Sequence, residues 1–325
     1  MTITDPSATA TRKPEAIKAI PLRHPWRWVG AAVVLAAAAS VLYTFATAPN
    51  LSWRAVAQFF FFPAILRGIL ITLVLTVVAM VIGVSLGVLL AVMRLSVNPV
   101  VSTVSWFYIW FFRGTPVLVQ IFFWYNLALI LPLLHIGIPF THLQWVGVTN
   151  QIDTPILAAI LGLGLNEAAY MSEIVRAGII SVDHGQTEAA QALGMTRTRV
   201  MRRIVLPQAM RVILPPTGNE TISMLKTSSL ASIATVGELF YAQGQISNAN
   251  FDIVELLVVA SIWYLFMTSI LTFGQYYLER YFARGSARQL PLTPLQRFRR
   301  TFFGSHVTPQ MVAAEPAPIV PRHPF

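Results

Sequence analysis

The chain has 325 residues, of which 55% are hydrophobic and only 11% are charged. This composition excludes an ordinary soluble domain and predicts an all-α integral membrane protein. The absence of cysteine excludes disulfides, thiol catalysis and cysteine metal sites. The formal net charge of +10 does not predict nucleic-acid binding, because the basic residues cluster beside apolar stretches instead of along a soluble face.

About six transmembrane helices are predicted. A stretch of about twenty apolar residues crosses roughly 30 Å of hydrocarbon, and each predicted span is at least about that long. The spans cover residues 28–47, 68–93, 106–134, 154–180, 214–236 and 256–278. A cleaved signal peptide is the alternative for the first span, but its long basic leader and long apolar run favour a retained helix. The third span contains Arg113, so it is predicted to be bent or lined by protein near that charge.

The distribution of lysine and arginine predicts the orientation in the membrane. Basic residues are concentrated in residues 1–27, in the loop 181–212 and after residue 279. The loops near 135–152 and 237–253 contain none. By the positive-inside rule, both termini and the loop 181–212 are expected to face the cytoplasm.

The C-terminal residues 285–325 are rich in proline and have no apolar period, so they are predicted to be a disordered cytoplasmic tail. Residues 296–303 mix arginine with phenylalanine. This stretch either contacts the anionic lipid of the inner leaflet or is simply solvated.

The basic cytoplasmic loop contains several helix signals. Asp183 and Gln186 predict a capping box that opens a helix. Gly194 can adopt a left-handed backbone angle and is expected to end that helix. Residues 196–205 are expected to form a second, arginine-rich helix, and Pro207 is tolerated where a further helix begins.

The first of these helices has features of a docking surface. Glu188 lies near its N-terminus, where the helix dipole favours a carboxylate, and two small alanines follow. That face is expected to enter a groove of a partner protein. The spaced pattern resembles the EAA loop of permease subunits of bacterial ABC importers, and an ordinary solvated connector is the alternative. The matching positions are Glu188, Ala189, Ala190, Gly194, Ile204, Leu206 and Pro207.

Further segments resemble the polar amino acid branch of these permeases, which includes histidine, glutamine, glutamate, arginine and opine transporters. They are residues 68–73, 113–120, 166–178 and 216–231. The resemblance covers about residues 64–284 and implies a five-helix type I ABC importer permease core, preceded by one extra N-terminal helix. Relatives often have Lys-Asp-Thr-Ser-Leu where this chain has Lys-Thr-Ser-Ser-Leu from Lys226 onward, so a preference for a cationic substrate does not carry over.

The chain contains no Gly-Lys pair and hence no phosphate-binding G-x-x-x-x-G-K-[ST] loop. The resemblance implies a separate ABC ATPase dimer that binds ATP and Mg²⁺, docked on the cytoplasmic loop. It also implies a second permease copy or a sister permease and an extracytoplasmic amino-acid-binding protein, all in the bacterial inner membrane or on its surfaces. No cofactor is expected on this chain itself.

Ionisable residues inside the predicted spans are candidates for the substrate pathway, since an unpaired charge there costs at least about 2.5 kcal/mol. An amino acid has an ammonium and a carboxylate group, which Glu167 and Lys226 would complement. The alternative is an ion pair that only holds helices together. Glu173 and Arg176 are three residues apart and are predicted to form such a structural pair. Further pathway candidates are Arg113, Glu220, Asn166 and Tyr125.

Small residues favour close packing of the second and fourth spans, within one subunit in preference to between two. They are Gly83, Gly87, Ala168, Ala169 and Ala177. His135 and His142 have no third ligand at suitable spacing, so no metal site is predicted.

The sequence leaves two other functional classes open. An ion-coupled secondary carrier of amino acids would transport without ATP hydrolysis, although an inverted repeat is not evident in the sequence. A membrane scaffold or sensor without transport would leave Glu167 and Lys226 with purely structural roles.

Overall fold

The computed structural model describes residues 25–137, 144–149 and 154–282. The chain divides into two units. One comprises Met1–Ala48 and Pro291–Phe325, and its described part contains the apolar helix α1 (Pro25–Ala46). The other is Pro49–Leu290. Most of the predicted basic segment, residues 1–24, lies outside the described residues, as do the predicted tail and His142; only the backbone of His135 is described.

The second unit begins with helices and a hairpin. The helices are α2 (Trp53–Phe60), α3 (Pro63–Arg94), α4 (Pro99–Gly114), α5 (Val117–Tyr125) and α6 (Leu127–Ile130). An antiparallel pair follows, formed by β1 (Leu133–Gly137) and β2 (Gln144–Val148), with Leu133 opposite Val148. In the described part of the chain, this short hairpin is the one interruption of an all-α fold.

The remainder of the unit is helical. Its elements are α7 (Pro155–Ile180), α8 (His184–Ala192), α9 (Arg197–Val200), a π-helical stretch (Met201–Val205), α10 (Leu206–Thr227), a 3-10 helix (Ser228–Ala234), α11 (Leu239–Asn250) and α12 (Ile253–Phe282).

Capping side chains mark where long helices begin. The Asn98 side chain accepts a hydrogen bond from the N–H of Val100 at 3.0 Å, and a proline follows it at the start of α4. Thr154 accepts from the N–H of Leu157 at 3.2 Å, again with a proline next in the chain. Each cap satisfies an N–H that has no intrahelical partner, and each proline has no such N–H to satisfy.

Two glycines of α3 allow α7 to pack closely against it. A Cβ atom at Gly83 would lie 2.4 Å from Cγ of Glu167, and one at Gly87 would lie 2.6 Å from Cβ of Met171. Side chains larger than hydrogen would therefore separate the helices. This confirms the predicted packing of these glycines within one subunit. Among the predicted small residues of α7, Ala168 and Ala169 are buried, whereas Ala177 is exposed.

Four helices in the described ranges are long and apolar enough to cross a membrane. They are Trp28–Ala46 within α1, and the whole of α3, α7 and α12. These correspond to the first, second, fourth and sixth predicted spans. The total of six crossings stays a prediction.

The third predicted span, residues 106–134, is not one helix. α4 ends directly after Arg113 at Gly114, and α5 begins after Pro116. Thr115 between them is extended (φ −111°, ψ 139°), because a residue before proline disfavours the helical region. Of the two alternatives predicted near Arg113, a bend or a protein lining, the structure shows the bend. Helix as far as residue 134 was wrong, because β1 has begun by then.

The fifth predicted span, residues 214–236, is also divided. α10 begins earlier, at Leu206, and ends at Thr227, where a 3-10 helix replaces it. α10 contains two internal prolines and several polar residues, so it is less apolar than the four long helices.

Candidate functional site

The loop that follows α7 folds into a compact element, residues 183–207, called the EAA segment below. Asp183 caps its first helix, α8, and its Oδ1 atom accepts a hydrogen bond from the N–H of Gly185 at 2.6 Å. The predicted N-cap is therefore confirmed. The side-chain bond differs from a capping box, in which it would go to the N–H of Gln186.

Gly194 ends α8 as predicted. Its φ is +78°, in the left-handed region that an L-residue with a side chain rarely adopts. The N–H of Gly194 donates to the oxygen of Gln191 at 2.9 Å, and the N–H of Met195 donates to the oxygen of Ala190 at 3.1 Å. This pair of bonds is a Schellman motif, which satisfies carbonyl groups at the end of the helix and turns the chain sharply.

The two alanines of the segment face in different directions. Ala189 is exposed, whereas Ala190 is only 5% exposed and packs with Val200 and Val205. Both alanines were expected to face a partner, and for Ala190 this is wrong, because it forms part of a small apolar core inside the segment. Four partly buried residues complete this core: Ile179, Val182, Met195 and Ile204.

The outer surface of α8 carries a different set of residues. Glu188 and Gly194 are exposed, and Leu193 at the helix end is 84% exposed. Leu193 is thus a large apolar side chain that the chain by itself leaves uncovered, next to the cap glycine. The sequence motif did not single out Leu193, although an apolar residue next to the cap glycine was visible there.

The rest of the segment is helical without a break. α9 passes into the π-helical stretch and then into α10, and the backbone at both junctions is right-handed helical. Leu206 and Pro207 are exposed at the beginning of α10. Because Pro207 has no N–H, it is accommodated where the hydrogen-bond pattern changes between the two helix types. Exposed arginines line this stretch: Arg197, Arg199, Arg202 and Arg203.

Among the predicted pathway residues, Glu167 is the most deeply placed. It is 4% exposed and lies against Gly83 of α3, and its Oε1 atom has no hydrogen-bond partner. A buried carboxyl oxygen without a donor is costly, so it is available to a group that brings one. Glu220 on α10 is half-buried and lies within electrostatic range of Glu167.

Arg113 and Asn166 lie at the break between α4 and α5, whereas Tyr125 is the last residue of α5. The guanidinium of Arg113 is 5.1 Å from the ring centre of Tyr170, a cation–π arrangement. The Asn166 amide donates to the oxygen of Phe112 at 2.8 Å, which ties α7 to the end of α4. Tyr125 is half-buried and packs against the main apolar core.

The buried amide of Gln120 supports the same break, and this residue was not among the predicted site residues. Gln120 donates to the oxygen of Phe112 at 3.0 Å and to the hydroxyl of Thr115 at 2.7 Å, while its own Oε1 has no partner. Its position at the end of the motif 113–120 was the available signal.

Lys226 lies apart from Glu167. It is exposed in the last turn of α10 and lines a cavity of about 290 Å³ whose other polar residues are Ser229, Ser261 and Tyr264. In the part of the chain that the structure describes, the ion pair found is the predicted one between Glu173 and Arg176, at 2.7 Å. The alternative of a structural pair between Glu167 and Lys226 is therefore not supported.

Tyr264 connects this cavity to a buried carboxyl. Its hydroxyl donates to Oε2 of Glu238 at 3.0 Å, and the N–H groups of Phe240 and Tyr241 also donate to Glu238, each at 2.7 Å. Burial raises the pKa of Glu238 to about 7, even though these three donors act to lower it.

A comparison with known protein families decides the class. Residues 83–284 match the family described as binding-protein-dependent transport system inner membrane component. The chain belongs to this family. It is therefore a multi-pass transport component of the inner membrane that works with a binding protein, and the secondary-carrier alternative is not favoured.

Individual relatives of this inner membrane component agree with the assignment. It is 47% identical to the arginine transport system permease protein of Corynebacterium glutamicum over 282 residues, which are 86% of this chain and 88% of the relative. It is 41% identical to the nopaline transport system permease protein of Agrobacterium fabrum over 212 residues, 65% of this chain and 84% of that one.

A solved structure has the same fold. The crystal structure of an amino acid ABC transporter with histidines superimposes with a TM-score of 0.61 at 32% identity, covering 71% of this chain and 99% of that one. The resemblance found in the sequence motifs is thereby confirmed at the level of the family and of the fold.

Proposed function

We propose that this chain is the permease subunit of an ABC importer that moves a polar amino acid into the cytoplasm. Family membership supports transport with a binding protein. The cargo class is supported by relatives named for arginine and nopaline transport and by the likeness to an amino acid ABC transporter. The observation that carries the coupling part of the proposal is the EAA segment, a pre-formed knob with its own apolar core.

The EAA segment docks into a separate ATPase dimer, which binds the ATP and Mg²⁺. A pre-formed compact element loses little conformational entropy on docking, and its internal core keeps its shape when the ATPase moves it. The exposed residues Glu188, Ala189, Leu193 and Gly194 form the docking surface. Glu188 contacts a basic group of the ATPase, while Ala190 and Ile204 support the knob from inside. Leu206 and Pro207 begin the helix that carries the movement into the membrane.

The pathway is proposed to use Glu167 as acceptor for the amino acid's ammonium group, because its free Oε1 lacks a donor. Lys226 supplies a donor for a carboxylate, in a cavity whose lining includes two serines and a tyrosine beside apolar residues. Since the structure does not join these two residues, they act at separate points of the pathway. Arg113, Glu220, Asn166 and Tyr125 are the remaining pathway candidates.

The assembly has two permease subunits, either two copies of this chain or this chain with a sister permease, around the central path. Both termini and the EAA segment lie in the cytoplasm, and the binding protein docks on the opposite surface. Five helices of residues 64–284 form the importer core, and residues 28–47 form an additional helix.

Reconstitution into lipid vesicles tests this function. The chain is combined with its ATPase and binding protein, and uptake of a panel of radiolabelled amino acids is measured with and without ATP. Uptake that needs ATP and both partners is the expected result. Uptake driven by an ion gradient without ATP would instead identify a secondary carrier, and binding of partners with no uptake of any amino acid would contradict the proposed cargo.

Glu188→Gln provides a sharper test of the docking surface. The substitution keeps the size of this exposed side chain and removes its charge, so the fold is retained and ATPase association weakens. Gln191→Glu on the same helix is the control, because Gln191 is also exposed and lies outside the motif. Equal ATPase recovery for Glu188→Gln and the unchanged chain would remove Glu188 from the contact.

A further inference from the structure

A side chain of α12 reaches the proline-containing part of α10. The Nε2 atom of Gln275 lies 3.2 Å from the backbone oxygen of Pro215, 3.1 Å from Oδ1 of Asn219 and 2.7 Å from Oε1 of Glu279. An amide nitrogen has two hydrogens, so the short contact to Glu279 takes one and the two acceptors on α10 share the other. Gln275 therefore joins α12 to α10 through residues that are 60 positions apart in the chain.

The glycine beside this contact makes the close approach possible. A Cβ atom at Gly218 would lie 2.8 Å from Cγ and 2.9 Å from Cδ of Gln275. Any side chain at position 218 would push the amide away from its acceptors on α10. Glycine in a helix interior lowers helix stability by about 1 kcal/mol relative to alanine. The close contact with Gln275 explains why glycine nevertheless occupies this position.

The segment of α10 that Gln275 contacts is a weak part of the helix. Pro215 and Pro216 have no N–H, so the backbone oxygens four residues earlier lose their intrahelical donors. The hydroxyl of Thr217 donates to the oxygen of Ile213 at 2.8 Å, and that of Thr221 donates to the oxygen of Thr217 at 2.9 Å. Such bonds favour bending of a helix, so α10 bends more easily here than elsewhere.

This weak segment lies between the EAA segment at one end of α10 and the pathway candidates Glu220 and Lys226 at the other. A movement entering at Leu206 would be absorbed by bending at the prolines unless the segment is held from outside. We propose that Gln275 fastens α12 to this segment, so that α10 and α12 move together when the EAA segment moves. Gln275 is thus a positioning residue for coupling, and the proposal rests on the coupling function proposed above.

Spin labels test the fastening directly. The chain has no cysteine, so within this subunit the labels attach only to introduced cysteines. These replace Arg211 on α10 and Leu278 on α12, which are both exposed. The distance between the labels is measured in the assembled transporter, both nucleotide-free and trapped with ADP and vanadate. We expect the same distance between the two labels of one subunit in both states when Gln275 is present, and a broader or shifted distribution of that distance in the Gln275→Leu variant.

Transport measurements give a second test. Removing one net hydrogen bond of roughly 1 kcal/mol is expected to lower uptake per ATP hydrolysed by about fivefold. Gly218→Ala is expected to act in the same direction, because its Cβ displaces the Gln275 side chain. Thr272→Val is the matched control on α12, since the Thr272 hydroxyl donates only to its own helix, at Thr268.

The outcomes separate this proposal from the proposed function. If the parent transporter couples uptake to ATP but the label distance changes between states equally with glutamine or leucine at position 275, the fastening is wrong and the importer stands. An unchanged ratio of uptake to hydrolysis in both Gln275→Leu and Gly218→Ala would overturn it as well. A parent complex that shows no ATP-driven uptake contradicts the importer function itself.

Discussion

Gly194 stands at the turn between α8 and α9 with a φ of +78°, and a Cβ there would meet nothing within 4 Å. The requirement for glycine is therefore one of backbone conformation and not of space. An L-residue pays roughly 1–2 kcal/mol for this conformation, and a β-branched one is the least suited to it. The shape of the EAA segment thus depends strongly on a residue without a side chain.

Gly194→Val is expected to loosen the Schellman cap and to reduce both ATPase association and uptake, with normal membrane insertion. Gly194→Asn should retain much of both, because asparagine tolerates the left-handed region. Copurification with the ATPase measures the effect. Gly244→Ala serves as control, since Gly244 has open space and an ordinary backbone angle. Full ATPase association of the valine variant would show that the cap is not needed for docking.

Glu167 and Lys226 differ in their surroundings, and their substitutions should differ from those of a structural ion pair. Glu167→Gln keeps the packing against Gly83, and Lys226→Ala removes an exposed cation. Both are expected to impair uptake severalfold while the ATPase remains bound. Glu173→Gln, which breaks the pair with Arg176, is the comparison for a structural role. Equal loss of folded protein in the Glu167 and Lys226 variants would favour structural roles for both.

At the scale of the element, the EAA segment is a small folded body. α8 and the stretch from α9 to the π-helical turn enclose Ala190, Val200 and Val205, and the arginines remain outside. This arrangement explains how a loop of mostly polar residues keeps a defined shape at the membrane surface. It also separates the residues that hold the shape from the exposed residues that are proposed to meet a partner.

Neighbouring alanines allow these two roles to be tested with one type of change. Ala190→Leu overpacks the segment's core and is expected to cost about 1–3 kcal/mol, which makes the segment easier to cleave by protease. Ala189→Leu leaves the core intact, so protease resistance is retained while ATPase association falls. The idea fails if Ala189→Leu is the variant that becomes protease-sensitive.

At the scale of the whole molecule, the shorter and more polar elements pack against the long apolar helices α3, α7 and α12. α3 and α7 pack through glycine contacts, and α12 contacts α10 through Gln275. The EAA segment and the turn before α12 lie at loops predicted to face opposite sides of the membrane. Each presents a large apolar side chain, Leu193 and Phe251, and both are 84% exposed.

Single cysteines at these two positions test the orientation, since the chain has none of its own. Leu193→Cys is expected to react with a membrane-impermeant maleimide only after cells are permeabilised. Phe251→Cys should react in intact cells once the outer envelope is open. Both side chains are equally exposed in the chain by itself, so the two sites are compared in cells that express this chain without its ATPase. Reaction of both from the same side of the inner membrane would contradict the predicted topology.

Local features of this protein could be predicted from the sequence because their causes lie within a few residues. A run of apolar side chains is enough to predict a spanning helix. The proline after Thr115 likewise predicts the break between α4 and α5, and the glycine at 194 predicts the end of α8. The pair of Glu173 and Arg176 is likewise set by their spacing on one helix. These elements need no knowledge of distant contacts.

Only the tertiary structure decided which faces of those helices are occupied. Ala189 and Ala190 are identical in the sequence, and contacts with Val200 and Val205 bury one of them. Glu167 and Lys226 are plausible partners by charge, yet Glu167 is buried against Gly83 of α3, whereas Lys226 is exposed and lines a cavity that does not include Glu167. Gln275 has no motif at all. Such choices depend on residues far apart in the chain, so a local pattern does not contain them.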